Sequence, residues 1–526
     1  MLHTHMPSKN NHVFLVSLAL ILIFAIWGIL GPDSLALAMQ SGLALTIGHF
    51  GWFYLISMFS FLGFSIYLAL GRFGRIRLGG DDAEPEFSNA SWFSMLFAAG
   101  MGIGLVFWGA AEPISHFAQP PLGIVPESPE AARAALRFAF FHWGLHPWAA
   151  YCLVALALAY AHFNKNRPML ISSVFESLLG SRIHGTAGKI IDIMAVIATV
   201  FGVATSLGFG TLQIASGLNH LFGVSTGMTT NILIICIATA MYLTSAMTGL
   251  DRGIRLLSNT NLLIGLALML GIFLLGPTAF ILDSLTTTLG DYANSIIAMS
   301  LRLTPFSKGE WVANWTLFYW AWWVSWAPFV GTFIARISKG RTIKEFVTGV
   351  LILPSMTSFI WFSIFGGTSL YQALFDGKPL VAINAQDVSM TLFAVLENLP
   401  LGTVMSVVAI VLVTIFFVTS ADSATFVLAL MSTNGNQNPK NRVKLTWGLL
   451  IAVLALVLLI SGGLKGLQTM AIMTALPFML LMLLMCFSLY RDLDIEAKRR
   501  RKLHDAREKA VDRLMAIEKA SRNEPL

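Results

Sequence analysis

Residues 315–333, WTLFYWAWWVSWAPFVGTF, hold the densest set of side chains able to do chemistry. At about 100° per residue, Trp315, Tyr319, Trp322, Trp323, Trp326, Phe329 and Phe333 fall within about 120° of one helix face. An aromatic belt at a membrane surface stays at headgroup depth, whereas this stripe runs roughly 27 Å along the axis. Such a wall either packs against neighbouring helices or offers π faces to a cation. Tryptophan is the strongest cation–π partner, and quaternary ammonium groups are its usual ligands.

Three other stretches carry candidate chemistry. In AAGMGIGLVFWGAAEP, residues 98–113, Gly100 and Gly104 fit a small-residue packing pattern. With Gly102 between them the helix is weakened on two faces, by about 1 kcal/mol per glycine relative to Ala, which predicts a locally unwound segment. Counted from Ser91, Gly102 lies roughly 16 Å into an apolar core about 30 Å thick, the depth that Trp323 reaches from the other side. No strand precedes these glycines and no basic residue follows them, which excludes a phosphate loop. In HWGLHPWAAY, residues 142–151, Trp143, Trp148 and Tyr151 spread over about 140° of helix, with a kink expected at Pro147. His142 and His146 stand four apart as a metal pair would, but with no third ligand in view they read as bonded polar groups near the outer mouth. In FFVTSADSATF, residues 416–426, Thr419, Ser420, Ser423 and Thr425 supply hydroxyls. Asp422 there is either a functional intramembrane charge or a hydrogen-bond anchor. Hard oxygen donors beside a helix break suit a sodium ion. Thr199, Thr205 and Ser206 either bond their own backbone or line a pathway.

The elements that must position these groups are membrane spans. The chain has 526 residues, 56% hydrophobic and only 12% charged, the composition of an all-α polytopic membrane protein. Twelve apolar runs are long enough to cross: 13–31, 50–70, 92–112, 138–162, 190–216, 229–247, 258–281, 313–336, 345–370, 403–430, 444–462 and 466–489. The first lacks a small-residue cleavage site and reads as a retained helix. Lys and Arg concentrate in alternate loops, as at Arg72, Arg75 and Arg77, or Arg336, Lys339, Arg341 and Lys344, so both termini are expected in the cytoplasm. This bias and a basic tail account for the net charge of +7 and leave no case for nucleic-acid binding. Cys152, Cys236 and Cys486 lie in apolar runs without metal spacing and read as packing residues.

The broken third span and the aromatic eighth span are five apart, and five is odd. Two five-helix units in opposite orientation, a 5+5 inverted repeat, follow, with their first helices forming a midplane site. The expected organisation is a cytoplasmic head at 1–12, two peripheral spans and a linker at 13–90, and a first repeat at 91–282. An outer amphipathic connector at 283–312, a second repeat at 313–490 and a charged cytoplasmic tail at 491–526 complete it. The basic run Lys498–Lys502 serves inside retention or contact with anionic lipid. A pore would more naturally carry a charged ring or carbonyl filter, and an enzyme would need a nucleophile with its base or a metal cluster.

With these motifs quoted, the chain resembles the betaine/carnitine/choline transporter family, carried by AAGMGIGLVFWGAAEP, HWGLHPWAAY, ATVFGVATSLGFG, the 315–346 stretch and FFVTSADSA. The resemblance implies a leucine-transporter-like core, a homotrimer in the bacterial inner membrane, and sodium-coupled import of an osmolyte such as glycine betaine. The alternatives within the family are a proton-coupled choline carrier and a sodium-independent exchanger. It implies an aromatic box of Trp143, Trp148, Tyr151 and Trp323, with Trp322, Trp326 and Phe329 along the path, and Gly100, Gly102, Gly104 and Ser206 beside the substrate. It also implies a sodium site at Ala98, Met101, Phe416, Thr419 and Ser420, with no other cofactor. A second ion site matches at Thr199 and Phe329, but Val203 stands where another threonine belongs and leaves that site incomplete. Choline carriers usually bear Asp where this chain has Gly104, so the resemblance leans toward a zwitterion. The charged tail is similar in character to the osmosensing tails of several members.

Overall fold

Long apolar runs leave the backbone no partner but itself, which favours helices. The computed structural model describes residues 12–100, 102–121, 123–248, 251–306 and 309–522, and these form helices with no strand among them. In chain order they are α1 (His12–Leu30), α2 (Pro32–Leu70), α3 (Asn89–Gly100), α4 (Ile103–Ala118), α5 (Pro129–Trp143) and α6 (Leu145–Ala159). Then come α7 (Glu176–Leu179), α8 (Thr186–Phe222), α9 (Met228–Thr248), α10 (Asp251–Leu275), α11 (Thr278–Ser300) and α12 (Phe318–Arg336). The last are α13 (Ile343–Leu374), α14 (Leu380–Gln386), α15 (Thr391–Glu397), α16 (Gly402–Ser432) and α17 (Asn441–Arg522).

Among the described residues, eight helices are long and apolar enough to cross a membrane, or nine if α10 and α11, bent by 108° at their junction, count as one span. The sequence suggests more, and the differences have local causes. The third apolar run is divided into α3 and α4, each too short alone. The aromatic helix α12 carries four tryptophans and a tyrosine, whose polar ring atoms lower its hydropathy. Two expected spans run together as α17, with a kink at Gly463 where φ is 54°.

The predicted break is present. α3 ends at Gly100 and α4 starts after Gly102, whose backbone is extended and whose carbonyl accepts from the Leu105 and Val106 amides at 3.1 and 3.4 Å. Met101 lies outside the described residues. The kink expected at Pro147 falls instead at Gly144, between α5 and α6. Pro147 is the third residue of α6, where its missing N–H costs no helical bond. A Cβ on Gly144 would come within 2.5 Å of the Phe140 carbonyl and 2.8 Å of the Phe359 ring, so the break and the close packing of α13 depend on glycine.

Basic loops gather on one side. Leu78 N donates to the Arg341 carbonyl at 2.9 Å, Asn164 Nδ2 to the Arg77 carbonyl at 2.9 Å, and Arg167 pairs with Asp492 at 3.0 Å. Arg72 pairs with Asp494, and Arg500 with Asp81 at 2.7 Å, so the later part of α17 is fastened to the loop after α2. On the opposite side residues 380–397 pack over α4: Asn384 donates to the Ala111 carbonyl at 3.2 Å and accepts from Ser115 at 2.9 Å. The helices that matter for the site, α4, α6, α8, α12 and α16, meet between these two sides.

Candidate substrate cavity and the buried carboxylate beyond it

A single turn wider than α-helical, Ala313–Leu317, precedes α12 and shifts Trp315 out of register with the residues that follow. The aromatic wall therefore serves two places. Its later part, Trp322, Trp323, Trp326, Phe329 and Phe333, lines a cavity of about 1430 Å³. Its earlier part, Trp315 and Tyr319, joins a buried polar cluster.

The cavity reaches from Trp143 and the α4 start to Arg336, Asn438 and Lys444 on the side of the basic loops. No residue of 380–397 lines it. At its deep end Trp323 meets Trp143 edge-on, with ring centroids 4.9 Å apart at 87°, and Tyr151 at 5.7 Å and 79°. Trp322 stacks on Trp323 at 5.5 Å and 27°. Hydrogen bonds fix the rings: Trp323 Nε1 donates to the His142 carbonyl at 2.9 Å, Trp326 Nε1 to the Gly202 carbonyl at 2.9 Å, and Trp322 Nε1 to Ser206 Oγ at 3.2 Å. With every indole N–H committed, the ring faces are what the cavity is offered.

Of the residues singled out by sequence, Trp143, Tyr151, Trp322, Trp323, Trp326, Phe329, Gly102, Gly104 and Ser206 line this one cavity. Trp148 packs on Tyr151 at 5.4 Å but is not among the lining residues. A Cβ on Gly104 would overlap the Trp322 ring and come within 3.1 Å of Trp143, so glycine here is what lets the two rings approach α4. Ala98, Phe416, Thr419 and Ser420 line the cavity as well. Thr419 Oγ1 donates to the Ile415 carbonyl at 2.9 Å, leaving its lone pairs unused by that bond. Thr199 is fully buried, bonded to the Ala195 carbonyl at 2.8 Å, and does not line the cavity. Thr205 bonds the Phe201 and Leu467 carbonyls at 2.8 and 3.1 Å. Asp422 lines the cavity and accepts from Ser245 at 2.9 Å.

Beyond the rings lies Glu112, fully buried. Its Oε1 is 2.7 Å from His142 Nδ1 and 3.1 Å from His116 Nε2, and its Oε2 accepts from Trp143 Nε1 at 2.8 Å and the Tyr319 hydroxyl at 2.6 Å. His142 Nε2 lies 3.0 Å from Thr316 Oγ1, and its ring stacks on Tyr319 at 4.7 Å. One carboxylate thus joins α4, α5 and α12 and orients Trp143. Both histidines are bonded polar groups, as the sequence suggests: His142 to Glu112 and Thr316, and His146 through Nε2, 2.8 Å from Ser300 Oγ. The missed signal is Glu112 itself, an acid at the end of an apolar run, where an ionisable group marks function.

The site is a cavity with a fixed aromatic end. The chain matches the family profile BCCT, betaine/carnitine/choline family transporter, over residues 12–498. It is 48% identical over 514 residues to the glycine betaine transporter OpuD of Bacillus subtilis (strain 168), covering 97% of this chain and 99% of that one. It is 45% identical to the ectoine/hydroxyectoine transporter of Virgibacillus pantothenticus, covering 92% and 96%. It is 42% identical to glycine betaine transporter 1 of Vibrio parahaemolyticus, covering 93% and 94%. A match of this extent, over a helical chain whose glycine break and aromatic rings meet at one cavity, makes the protein an integral membrane transporter, not an enzyme, and a member of the betaine/carnitine/choline transporter family.

Proposed function

We propose that this protein imports a small quaternary-ammonium osmolyte, glycine betaine foremost, by sodium symport. The observation that carries the reading is the set of four rings, Trp143, Tyr151, Trp322 and Trp323, which meet at the deep end of the cavity with the three indole N–H groups tied elsewhere. A methylated ammonium is held there by π faces, with no acid needed to pair it. The carboxylate of a zwitterion meets the first amides of α4, at Ile103 and Gly104, which have no partner within the helix. Sodium is taken by Ala98, Phe416, Thr419 and Ser420, with Met101 outside the described residues. Backbone and hydroxyl oxygens suit a hard cation.

In this reading the α3–α4 pair and α12 are spans, α17 divides at Gly463, and the count becomes twelve. Spans three to seven and eight to twelve form the inverted repeat, and the termini lie in the cytoplasm, so the cavity opens inward. The protein works as a homotrimer, and Arg501 and Lys502, exposed beyond the ion pairs of Lys498 and Arg500, meet anionic lipid.

The test is uptake of radiolabelled glycine betaine into proteoliposomes under sodium, potassium or proton gradients, with choline, carnitine and ectoine as competitors. Accumulation driven by sodium alone, competed weakly by choline, is the expected result. Equal uptake without sodium overturns the symport, and preference for ectoine, for which one relative is named, overturns the quaternary-ammonium assignment.

A further inference from the structure

The geometry points to a transition-metal site on the far side of the aromatic rings, formed by Glu112, His116 and His142 and suited to a borderline divalent cation of the zinc class. The three ligand atoms lie within 4.8 Å of one another and all three residues are buried. His142 Nδ1 and His116 Nε2 stand 2.7 and 3.1 Å from the shared Glu112 Oε1. Vertices of a tetrahedral site with ordinary metal–nitrogen bonds are about 3.3 Å apart, so small side-chain shifts complete the geometry. Two imidazoles and one carboxylate are the donors that zinc takes with a fourth position left to solvent.

The proton balance is favourable. Each neutral imidazole moves its proton to its other nitrogen, and none is released. His142 then donates from Nε2 to Thr316 Oγ1, which already stands 3.0 Å away and fixes the ring as an outer partner should. His116 Nδ1 is buried without any partner, so shifting the proton there breaks no existing bond. Oε2 keeps its bonds from Trp143 and Tyr319. Access is short: Trp311, only partly buried, covers the His116 ring with centroids 4.8 Å apart. A bound ion ties α4 to α5 while Tyr319 still holds both to α12, so its effect is to arrest the carrier.

The experiment uses purified full-length protein with zinc, or with cobalt(II), whose tetrahedral complexes absorb visible light. Zinc should raise the melting temperature in detergent, slow osmolyte uptake when added to proteoliposomes, and be reversed by chelator. Cobalt should give a visible band that zinc bleaches. His116→Phe keeps the aromatic packing under Trp311 and Trp315 but removes one ligand; it should move the half-effective zinc concentration at least about tenfold. No zinc-dependent melting shift in wild type, or an equal shift in His116→Phe, overturns the site. The cobalt band is read on wild type alone and decides the matter if the variant fails to fold. Melting and absorption do not depend on which osmolyte is carried, so their failure is distinct from failure of the transport assignment.

Discussion

Replacing Glu112 with glutamine removes one charge and disturbs four hydrogen bonds while keeping the shape of the side chain. In the native protein two oxygens receive His142, His116, Trp143 and Tyr319 at 2.6 to 3.1 Å, a pattern of donors that a carboxylate satisfies. Glutamine retains one oxygen, which can keep Trp143 and Tyr319, while its amide must face the two imidazoles, each turned to its accepting tautomer. Hydrogen bonds to a charged group contribute about 1.5–3 kcal/mol and neutral ones about 0.5–1.5 kcal/mol, so the bond to Trp143 weakens by about 1–1.5 kcal/mol. Freed by that amount, Trp143 holds its ring face less firmly toward the cavity. The half-saturation constant for glycine betaine should rise about tenfold, since about 1.4 kcal/mol is a factor of ten. The assay is initial uptake against betaine concentration in proteoliposomes, normalised to reconstituted protein. A half-saturation constant indistinguishable from wild type, in a variant that folds, would refute the coupling between the carboxylate and the ring. Glu112→Leu is a harsher test: four buried groups lose their acceptor, at about 1–3 kcal/mol each, and the protein should not accumulate.

Trp323→Leu keeps an apolar volume but removes the face between Trp143 and Tyr151; at about 2 kcal/mol for a desolvated cation–π contact, betaine affinity should fall at least about tenfold with assembly intact, and an unchanged half-saturation constant would show that the ring does not face substrate. Gly104→Asp must displace the Trp322 ring, so betaine uptake should drop sharply, and the residual activity should be competed better by choline because a carboxylate beside the rings attracts a pure cation; wild-type competition curves would count against it. Replacing Thr419 and Ser420 together with Ala removes two hydroxyl oxygens from the cavity wall and should raise the sodium needed for half-maximal uptake, with betaine binding at saturating sodium changed less; an unaltered sodium dependence would move the ion elsewhere.

Much of this site is legible in the sequence because its parts are marked by rules that act locally. Glycines at 100, 102 and 104 weaken a helix wherever it packs, and the break falls there. Tryptophans at 322, 323 and 326 share a face by helical periodicity alone, and all three line the cavity. What periodicity could not supply was a change of period: the wide turn at Ala313–Leu317 sends Trp315 to His116, with ring centroids 4.5 Å apart. Pro147 looked like the kink, but a proline in a first turn does no harm, and the Gly144 backbone makes the break. Glu112 escaped notice because only His116 stands at helical spacing from it, while His142, Trp143 and Tyr319 come from other helices, which no spacing rule connects.

The two halves of the aromatic helix suggest how one element serves both binding and closure. The half toward the basic loops offers ring faces to a wide cavity, so contacts there are made mainly with whatever enters. The other half is fastened by directional bonds to groups on different helices: Tyr319 to Glu112 of α4, and Thr316 of the preceding turn to His142 of α5. A carrier that opens alternately must separate α12 from α4 and α5 on that side, and these bonds are what separation breaks. Two of them, one to a charged group, amount to about 2–4.5 kcal/mol. That is the scale on which a two-state equilibrium becomes lopsided without becoming irreversible. Trp143 hangs from the same carboxylate as Tyr319, so if the proposed substrate presses on Trp143 it also steadies Glu112 for Tyr319, and closure of the far side would then be linked to occupancy of the aromatic end.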